Sequence, residues 1–248
     1  IGYRSTQHDT LRFRESTTAQ TSIEFDEVVT LHTMDAEAGI FITFLPGDTA
    51  RAWYNDLVME VVSPTDRQRL ETAPLIKRPY LLRIDQRGRV STLEPPVVPD
   101  GIAEVADLSH AFDDFFPRLP DGALTPGLTW TDTLIHRDTT GINDLVSTSI
   151  GRFRVVRDTV VNGHRAYVVS AEQDIRLEEL RAASGTTITG SHLSGSDRGW
   201  FVFDPERGRL LVRHRTGEIQ GVILLTEGPD PVTSEQIYRY RQHIEAVD

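Results

Sequence analysis

The chain has 248 residues, no cysteine, and 26 basic against 37 acidic side chains, which gives a net charge of −11. The missing cysteines exclude disulfides, thiolate metal sites and cysteine nucleophiles, and the acidic balance argues against general nucleic-acid binding. A hydrophobic fraction of 38% and a charged fraction of 25% are typical of a folded globular protein.

The apolar runs are far too short to cross a bilayer, so we predict no transmembrane segment. The chain begins at Ile1 rather than at a methionine. We therefore expect a mature form after leader removal, located in the periplasm or at the membrane periphery of a bacterial envelope. An absence of cysteine fits a cytoplasmic protein equally well.

Apolar and polar residues alternate along most of the chain, which predicts β-strands with one buried face. The first alternating run predicts one strand over residues 23–32, and residues 39–45 are apolar on both faces, which predicts a strand buried on both sides. Further alternating runs cover residues 80–85, 128–134, 167–171 and 238–244. Turn-forming residues predict hairpins or tight loops at 85–88, 161–164 and 204–208.

One segment has helical periodicity. Residues 105–116 place apolar side chains at helical spacing, and Pro117 ends the segment. A second, weaker helix is predicted from Ala171 or Ile175 to Ala183, and residues 66–73 are a short third possibility.

The fold class we predict is mainly β: a curved antiparallel sheet, or half-barrel, with one or two packed helices. We expect a single β-rich domain over residues 1–248. The alternative is two halves, residues 1–98 and 119–248, joined by the helical segment 99–118.

Three stretches, at residues 119–133, 160–172 and 199–211, read LPDGALTPGLTWTDT, VVNGHRAYVVSAE and GWFVFDPERGRLL. In this order they resemble exported bacterial proteins of the LolA/LppX-like lipoprotein-carrier type. The resemblance covers mainly the C-terminal half of the chain. It implies a curved antiparallel half-barrel with an apolar concavity that holds acyl chains or lipoproteins, and it transfers no catalytic residue. The acidic charge of this chain departs from that family.

Two sets of side chains are candidates for binding. If the concavity exists, we expect a continuous apolar lining, and the candidates for it are aromatic: Phe41, Trp53, Tyr80, Trp130, Tyr167 and Trp200. Arginines recur on strand faces near the C-terminus and predict a basic stripe for docking onto acidic protein or anionic lipid, although a solvated face neutralised by glutamates is the simpler interpretation. The docking candidates are Arg207, Arg209, Arg213, Arg215, Arg239 and Arg241.

Motifs for catalysis or cofactor binding are missing. The eight histidines show no metal-binding spacing, so we predict no metal site and no cofactor, although ligands from distant strands remain an alternative. Asp113 and Asp114 are adjacent, and we interpret them as a solvated helix face rather than an acid–base pair. The glycine-rich residues 185–199 are interpreted as a flexible hairpin or strand edge, with anion binding as the alternative.

The sequence therefore predicts a non-catalytic envelope protein that binds an apolar ligand, such as an acyl chain or lipid, or a protein partner. A membrane-extrinsic subunit that braces a photosynthetic or respiratory complex is nearly as well supported. A glycan-acting enzyme is the third alternative, and only the stock of carboxylates and tryptophans favours it.

Overall fold

The computed structural model describes residues 2–3, 10–25, 28–103, 105–106, 108–138, 143–182, 188–226 and 231–247. Strands dominate these residues, whereas regular helix is limited to the four residues of α1, Asp100–Ala103, and a 3-10 turn at Ala73–Leu75. The strands are β1 Thr10–Phe25, β2 Val28–Leu45, β3 Thr49–Val62, β4 Arg67–Arg69, β5 Tyr80–Ile84, β6 Val90–Glu94, β7 Thr129–Asp138, β8 Asn143–Val161, β9 His164–Ala182, β10 Ile188–Asp204, β11 Arg209–Thr226 and β12 Pro231–Val247.

All twelve strands form one antiparallel sheet. The main path runs β6-β5-β3-β2-β1-β12-β11-β10-β9-β8-β7, and β4 pairs with the end of β3. The N-terminal strands therefore form one half of the sheet and the C-terminal strands the other. The two halves join at its centre, where β1 pairs with β12 from Arg12–Val247 to Glu24–Glu235. The predicted curved, open antiparallel sheet is confirmed.

The predicted turns lie between strands. Asn162 and Gly163 both have positive φ, 49° and 81°, as a tight two-residue hairpin requires. The single strand predicted over residues 23–32 is wrong, because Phe25 pairs with Val28 and the chain reverses there. Residues 26 and 27, between them, lie outside the described residues.

The helix predicted over residues 105–116 is also wrong. The described residues of this stretch form successive turns, in which the N–H groups of Ala111, Asp113 and Phe115 bond to carbonyls three residues earlier. We name residues 95–128, between β6 and β7, the crossover segment. Phe112, Phe115 and Phe116 are buried as the pattern predicted, whereas Val105 is 44% exposed. Tight turns with i to i+3 bonds also present side chains to a common surface.

The second predicted helix is strand instead. Residues 171–182 belong to β9, which pairs with β8 on one side and β10 on the other. Backbone pairing on both sides outweighs the small helix preference of leucine and glutamate. The third possible helix, residues 66–73, contains the short strand β4. In the part of the chain that the structure describes, no helix is long and apolar enough to span a bilayer.

The crossover segment packs on one face of the sheet, which we name the inner face. Phe112 lies 4.8 Å from Tyr80, Phe115 lies 5.1 Å from Phe13, and Phe116 packs against Tyr3, measured between ring centroids. One core cluster therefore joins both halves of the sheet through the crossover segment. This core covers only part of the length of the long strands. The candidate site lies on the part of the inner face that the core leaves uncovered.

Candidate functional site

The inner face has two parts. The near part, toward the chain termini, is covered by the crossover segment. The far part lies toward the β1–β2 and β11–β12 hairpins, and we name its partly exposed apolar side chains the far inner face. Residues that pair across antiparallel strands point to the same side of a sheet, so the strand register identifies the side chains of the far inner face. They are Ile175, Leu177, Leu193, Ile219 and Tyr238.

The far inner face is not part of the hydrophobic core. Its five side chains are partly exposed, and among the described residues they belong neither to the core cluster nor to the side chains packed against it. Glycines separate the bulky residues, because Ile219 pairs with Gly195 and Leu193 pairs with Gly221. The result is a shallow apolar surface on the concave side of the sheet.

A cavity of about 280 Å³ connects the two parts of the inner face. The crossover segment contributes Leu108 and Ala111 to its wall, and Tyr238 and Tyr240 contribute from β12. Apolar residues of β2 and β3 complete most of the lining: Met34, Ala36, Ala38, Tyr54, Leu57 and Met59. The polar side chains of Glu15, Thr17, Arg215 and Gln242 also reach it.

A charged cluster marks the boundary of the covered part. Arg213 is 5% exposed and donates hydrogen bonds to the carbonyl oxygens of Asp114 and Phe115 and to the Asp114 carboxylate. Arg215 donates to the same carboxylate and, at 2.7 Å, to Gln242. Burial acts to raise the pKa of Asp114, but Arg213 and Arg215 outweigh it and hold that pKa well below its usual range.

A second carboxylate is held beside this cluster. Tyr240 donates to Asp197 at 2.7 Å, and the guanidinium of Arg215 lies 5.3 Å from the centre of the Tyr240 ring. Burial raises the pKa of Asp197. Gly217 leaves the room for this arrangement, since a Cβ there would lie 2.5 Å from the Tyr240 ring.

Glu15 is the carboxylate nearest to the cavity's apolar residues. Gln242 and Thr17 donate hydrogen bonds to its Oε1 atom. Burial nevertheless raises the pKa of Glu15, because these neutral donors and the more distant arginines only partly replace its lost hydration. The cavity therefore has an apolar wall and a polar end in which each charge has partners.

The predicted aromatic lining does not form one surface. Phe41 and Trp53 contact each other on the outer face, at 5.7 Å between ring centroids, and Trp200 is 41% exposed on that face. Each is adjacent in its strand to a residue whose side chain belongs to the inner face (Ile40, Ala52 and Phe201), so strand alternation places it outside. The expected continuous lining from these residues is wrong.

The other three aromatic candidates belong to the core. Tyr80 is fully buried and donates to the carbonyl oxygen of Leu108, and Tyr167 is 6% exposed. Trp130 stacks on Phe153 at 5.2 Å and donates its indole N–H to the carbonyl of Arg118. Tyr80 and Trp130 therefore support the crossover segment, and none of the three residues lines the cavity.

The predicted arginine stripe is divided between the two faces. Arg213 and Arg215 point inward to Asp114, so their assignment to an outer docking surface is wrong. Arg239 and Arg241 are exposed on the outer face, and Arg239 pairs with Glu218 at 2.6 Å. This pairing matches the interpretation of a solvated face neutralised by glutamates.

The remaining two arginines lie at the β10–β11 hairpin. Arg207 contacts His164 at 2.6 Å, and Arg209 begins β11, where it pairs with Asp204 in the strand register. A register shift between Val202 and Phe203 separates these residues from Arg213 and Arg215. The six arginines therefore do not form a continuous basic stripe.

From the sequence, no lining residue of the cavity was predicted, and Asp114, Arg213 and Arg215 were named without a prediction that they meet in one buried cluster. Asp113 and Asp114 are not a solvated helix face, because Asp114 binds two arginines and Asp113 contacts His110 and His136. The signal for the cavity was the set of small residues at alternate positions of β2, Ala36 and Ala38. The glycine-rich residues 188–199 form part of β10, which is not at an edge of the sheet because β9 and β11 pair with it on either side. Residues 183–187 lie outside the described residues.

No protein-family model matches the chain, and no curated protein matches it. Among solved structures, one described as "lipid-protein interactions in lipovitellin" matches 99% of this chain at 13% identity, with a TM-score of 0.55. This chain spans about a quarter of the lipovitellin chain, since the match covers 26% of it. The likeness shows a shared sheet fold.

Two bacterial structures are much less similar. Neisserial surface protein A matches at 8% identity, with 94% of this chain and 96% of that chain covered and a TM-score of 0.25. A DUF1329 family protein from Desulfovibrio piger matches at 10% identity, with coverages of 92% and 83% and a TM-score of 0.19. The half-barrel shape expected from the LolA/LppX-like resemblance is confirmed, whereas membership of that family stays a prediction.

Proposed function

We propose that this protein binds an apolar ligand, such as an acyl chain, on the far inner face and in the adjoining cavity, without catalysing a reaction on it. One observation carries the proposal: the concave side of the sheet has an apolar surface that the crossover segment leaves uncovered. Exposed aliphatic side chains on a concave surface are a typical feature of ligand sites.

The dimensions suit an elongated ligand. Pockets for small molecules usually enclose about 300–1,000 Å³, and the cavity of about 280 Å³ lies just below that range, so it would hold only part of a longer ligand. A chain that enters beside Leu108 and Tyr238 would extend from the cavity onto Ile219 and Leu193. Each methylene group removed from water there would contribute about 0.8 kcal/mol.

The lipovitellin likeness supports the same ligand class. Lipid–protein interactions are the stated subject of that structure, and its matching region has the sheet fold of this chain. The present chain corresponds to only part of that protein, so lipid binding enters here as a proposal for this sheet alone.

A fluorescent fatty acid tests the proposal directly. We expect cis-parinaric acid to gain fluorescence on binding, and Ile219→Asp to weaken its affinity at least tenfold by placing a charge on the far inner face. Ile150→Asp is the matched control, because Ile150 is 42% exposed on the outer face of β8. No binding by the unmodified protein, or equal binding by Ile219→Asp, would reject the proposal.

The proposal includes a location in the bacterial envelope, peripheral to a membrane, where an acyl-chain binder meets its ligand. Cell fractionation checks this part separately. Recovery of the native protein from the periplasmic or peripheral membrane fraction is expected, and recovery from the cytoplasm alone would contradict it.

A second candidate function is to brace a membrane-embedded complex, such as a photosynthetic or respiratory assembly. Its specific support is a set of exposed aliphatic residues on the outer face at the far strand ends. They form two pairs, Val29 with Leu31 on β2 and Val222 with Leu224 on β11, and the exposed Glu24 and Glu235 lie between the pairs. Exposed aliphatic pairs of this kind suit contact with the apolar surface of a partner.

Native gels of solubilised membranes distinguish the two functions. Bracing predicts comigration with a membrane complex that Val222→Asp abolishes and Ile219→Asp leaves intact. Ligand binding predicts the opposite sensitivity in the cis-parinaric acid assay. Absence of comigration would reject the bracing role and leave the ligand-binding proposal to its own test.

A further inference from the structure

Two histidines and one aspartate from distant parts of the chain meet beside the crossover segment. His110 and Asp113 belong to one turn of that segment, in which the Asp113 N–H bonds to the His110 carbonyl at 3.0 Å. His136 comes from the inner face of β7. The three side chains are half-buried, and each offers one ligand atom within 4.8 Å of the others.

The distances match the spacing of ligands around a tetrahedral metal ion. Oδ2 of Asp113 lies 3.1 Å from Nδ1 of His110 and 3.4 Å from Nδ1 of His136. Metal–ligand bonds of about 2.0–2.2 Å in tetrahedral geometry separate neighbouring ligand atoms by about 3.3–3.6 Å, so a small adjustment of His110 would admit the ion. The imidazole rings are 4.3 Å apart, measured between ring centroids, and both Nδ1 atoms lie within 3.4 Å of the same carboxylate oxygen.

A second residue orients the carboxylate. Thr92 in β6 donates its backbone N–H, at 3.0 Å, and its hydroxyl, at 2.6 Å, to Oδ1 of Asp113. The other oxygen, Oδ2, is thereby directed to the two histidines. Hydrogen bonds of this kind, from outside the ligand set, are a regular feature of metal sites in proteins.

Hydrogen bonding among the described residues does not fully account for this arrangement. Nε2 of His136 is buried and has no hydrogen-bond partner among those residues. A buried polar atom without a partner costs about 1–3 kcal/mol. A cation bound at Nδ1 would fix the proton of this ring on Nε2, so this N–H would still need a partner such as water.

We propose that His110, Asp113 and His136 bind a divalent transition-metal ion, with Zn²⁺ as the best match, and we name these three residues the edge clasp. Two imidazoles and one carboxylate are ligands that Zn²⁺ favours, and three protein ligands leave a fourth position for water or another ligand. One carboxylate and two neutral imidazoles carry a charge of −1, which attracts a divalent cation.

The edge clasp links the two edges of the open sheet. Strands β6 and β7 end the sheet on opposite sides, and no backbone pairing joins them in the described part of the chain. Side chains connect them instead: Thr92 of β6 holds Asp113, which faces His136 of β7. Nearby, Arg89 pairs with Asp132 of β7 at 2.7 Å. A metal ion bound here would hold the two edges of the curved sheet together.

Zn²⁺ titration of the chelator-treated full chain by calorimetry tests the proposal. We expect one Zn²⁺ per chain, and an increase in Tm when Zn²⁺ is added. His110→Ala and His136→Ala should each weaken binding at least tenfold, and Thr92→Val should weaken it about tenfold. The matched control is His192→Ala, which alters an exposed histidine 3.6 Å from Glu178 and should bind Zn²⁺ as the unmodified protein does.

Co²⁺ provides a readout that does not depend on the variants folding. A tetrahedral site gives intense visible absorption when Co²⁺ is added to the unmodified protein, and equimolar Zn²⁺ should remove it. The proposal is overturned if the unmodified protein shows no stoichiometric Zn²⁺ binding, if His136→Ala binds with unchanged affinity, or if His192→Ala removes the site. Because cis-parinaric acid binding is measured separately, failure here leaves the proposed ligand function unaffected.

Discussion

The near and far parts of the inner face belong to the same long strands but have different roles. In the near part, phenylalanines of the crossover segment fill the concavity, and Phe112, Phe115 and Phe116 are at most 3% exposed. In the far part, Ile219 and Leu193 have no such cover. The same alternating pattern thus produces a core wall where a covering segment exists and an open apolar surface where it does not.

The charged cluster is what separates these two parts. Arg213 and Arg215 come from the sheet, and Asp114 comes from the crossover segment, so the contact fixes how far the segment extends along the strands. A buried ion pair contributes little net stability, but loss of one partner leaves a charge without compensation. Substitutions at the boundary and in the near part should therefore act on folding, and those in the far part on binding.

The largest effect is expected for Arg213→Glu. This change places a carboxylate against Asp114 inside the protein, and we expect it to lower the free energy of unfolding by about 5 kcal/mol, the upper end for a broken buried pair. Urea denaturation followed by circular dichroism measures it. Arg239→Glu is the control: Arg239 is exposed, so its reversal should cost at most about 1 kcal/mol. Equal losses for both variants would contradict the distinction between the inner and outer arginines.

The second largest effect on the free energy of unfolding is expected when one apolar side chain of the near part is truncated, and the same truncation in the far part should have little effect on stability. Phe112→Ala should cost about 4 kcal/mol, because it removes a fully buried ring packed against Tyr54 and Tyr80. Leu193→Ala should cost less than about 1 kcal/mol, yet it should weaken cis-parinaric acid binding. If Leu193→Ala destabilised the protein as much as Phe112→Ala, the far part would be core and not an open surface.

The smallest effect concerns Glu15. Because burial raises its pKa in the folded state, the folded protein binds this proton more tightly than the unfolded chain. Stability from this group is therefore greatest at low pH and falls as pH rises from the unfolded pKa through the folded pKa. Glu15→Gln should remove this decrease in the free energy of unfolding at higher pH, because glutamine does not ionise.

Denaturation at several pH values checks the sign. The stability advantage of Glu15→Gln over the unmodified protein should grow from pH 4 to pH 7. Glu245→Gln, at an exposed position on the outer face of β12, should show no such trend. An advantage that shrinks with rising pH would mean that the folded state favours the charged form of Glu15.

The alternating pattern was enough to predict the sheet and its antiparallel hairpins, and the helical spacing predicted the burial of Phe112, Phe115 and Phe116. It failed where local preference and tertiary pairing disagree. The leucines and glutamates of β9 favour helix, but pairing with β8 and β10 decides the outcome. Likewise, an apolar pattern at residues 105–116 specifies which side chains are buried, and a chain of turns meets that requirement as well as a helix does.

The candidate sites were harder to predict because they depend on faces and on distant strands. Placing Arg213 on the inner face requires knowing which face of the sheet the crossover segment covers, and no local sequence pattern contains that information. His136 lies 26 positions after His110, so histidine spacing cannot identify the edge clasp. Aromatic character alone was misleading as well, since Trp200 alternates to the outer face while Leu193 and Ile219 do not.

The central pairing of β1 with β12 also determines how the protein must be assembled. It joins residues about 210 positions apart, as the hydrogen bond from Ser234 to the Glu24 carbonyl shows. At about 5–20 residues per second, the ribosome needs roughly 10–40 s to make β12 after β1 has emerged. During that interval one edge of β1 has no partner and is available for aggregation. Because β12 is the last strand to be made, the pairing that completes the sheet is the last long-range contact available to the chain, and it lies in the middle of the sheet.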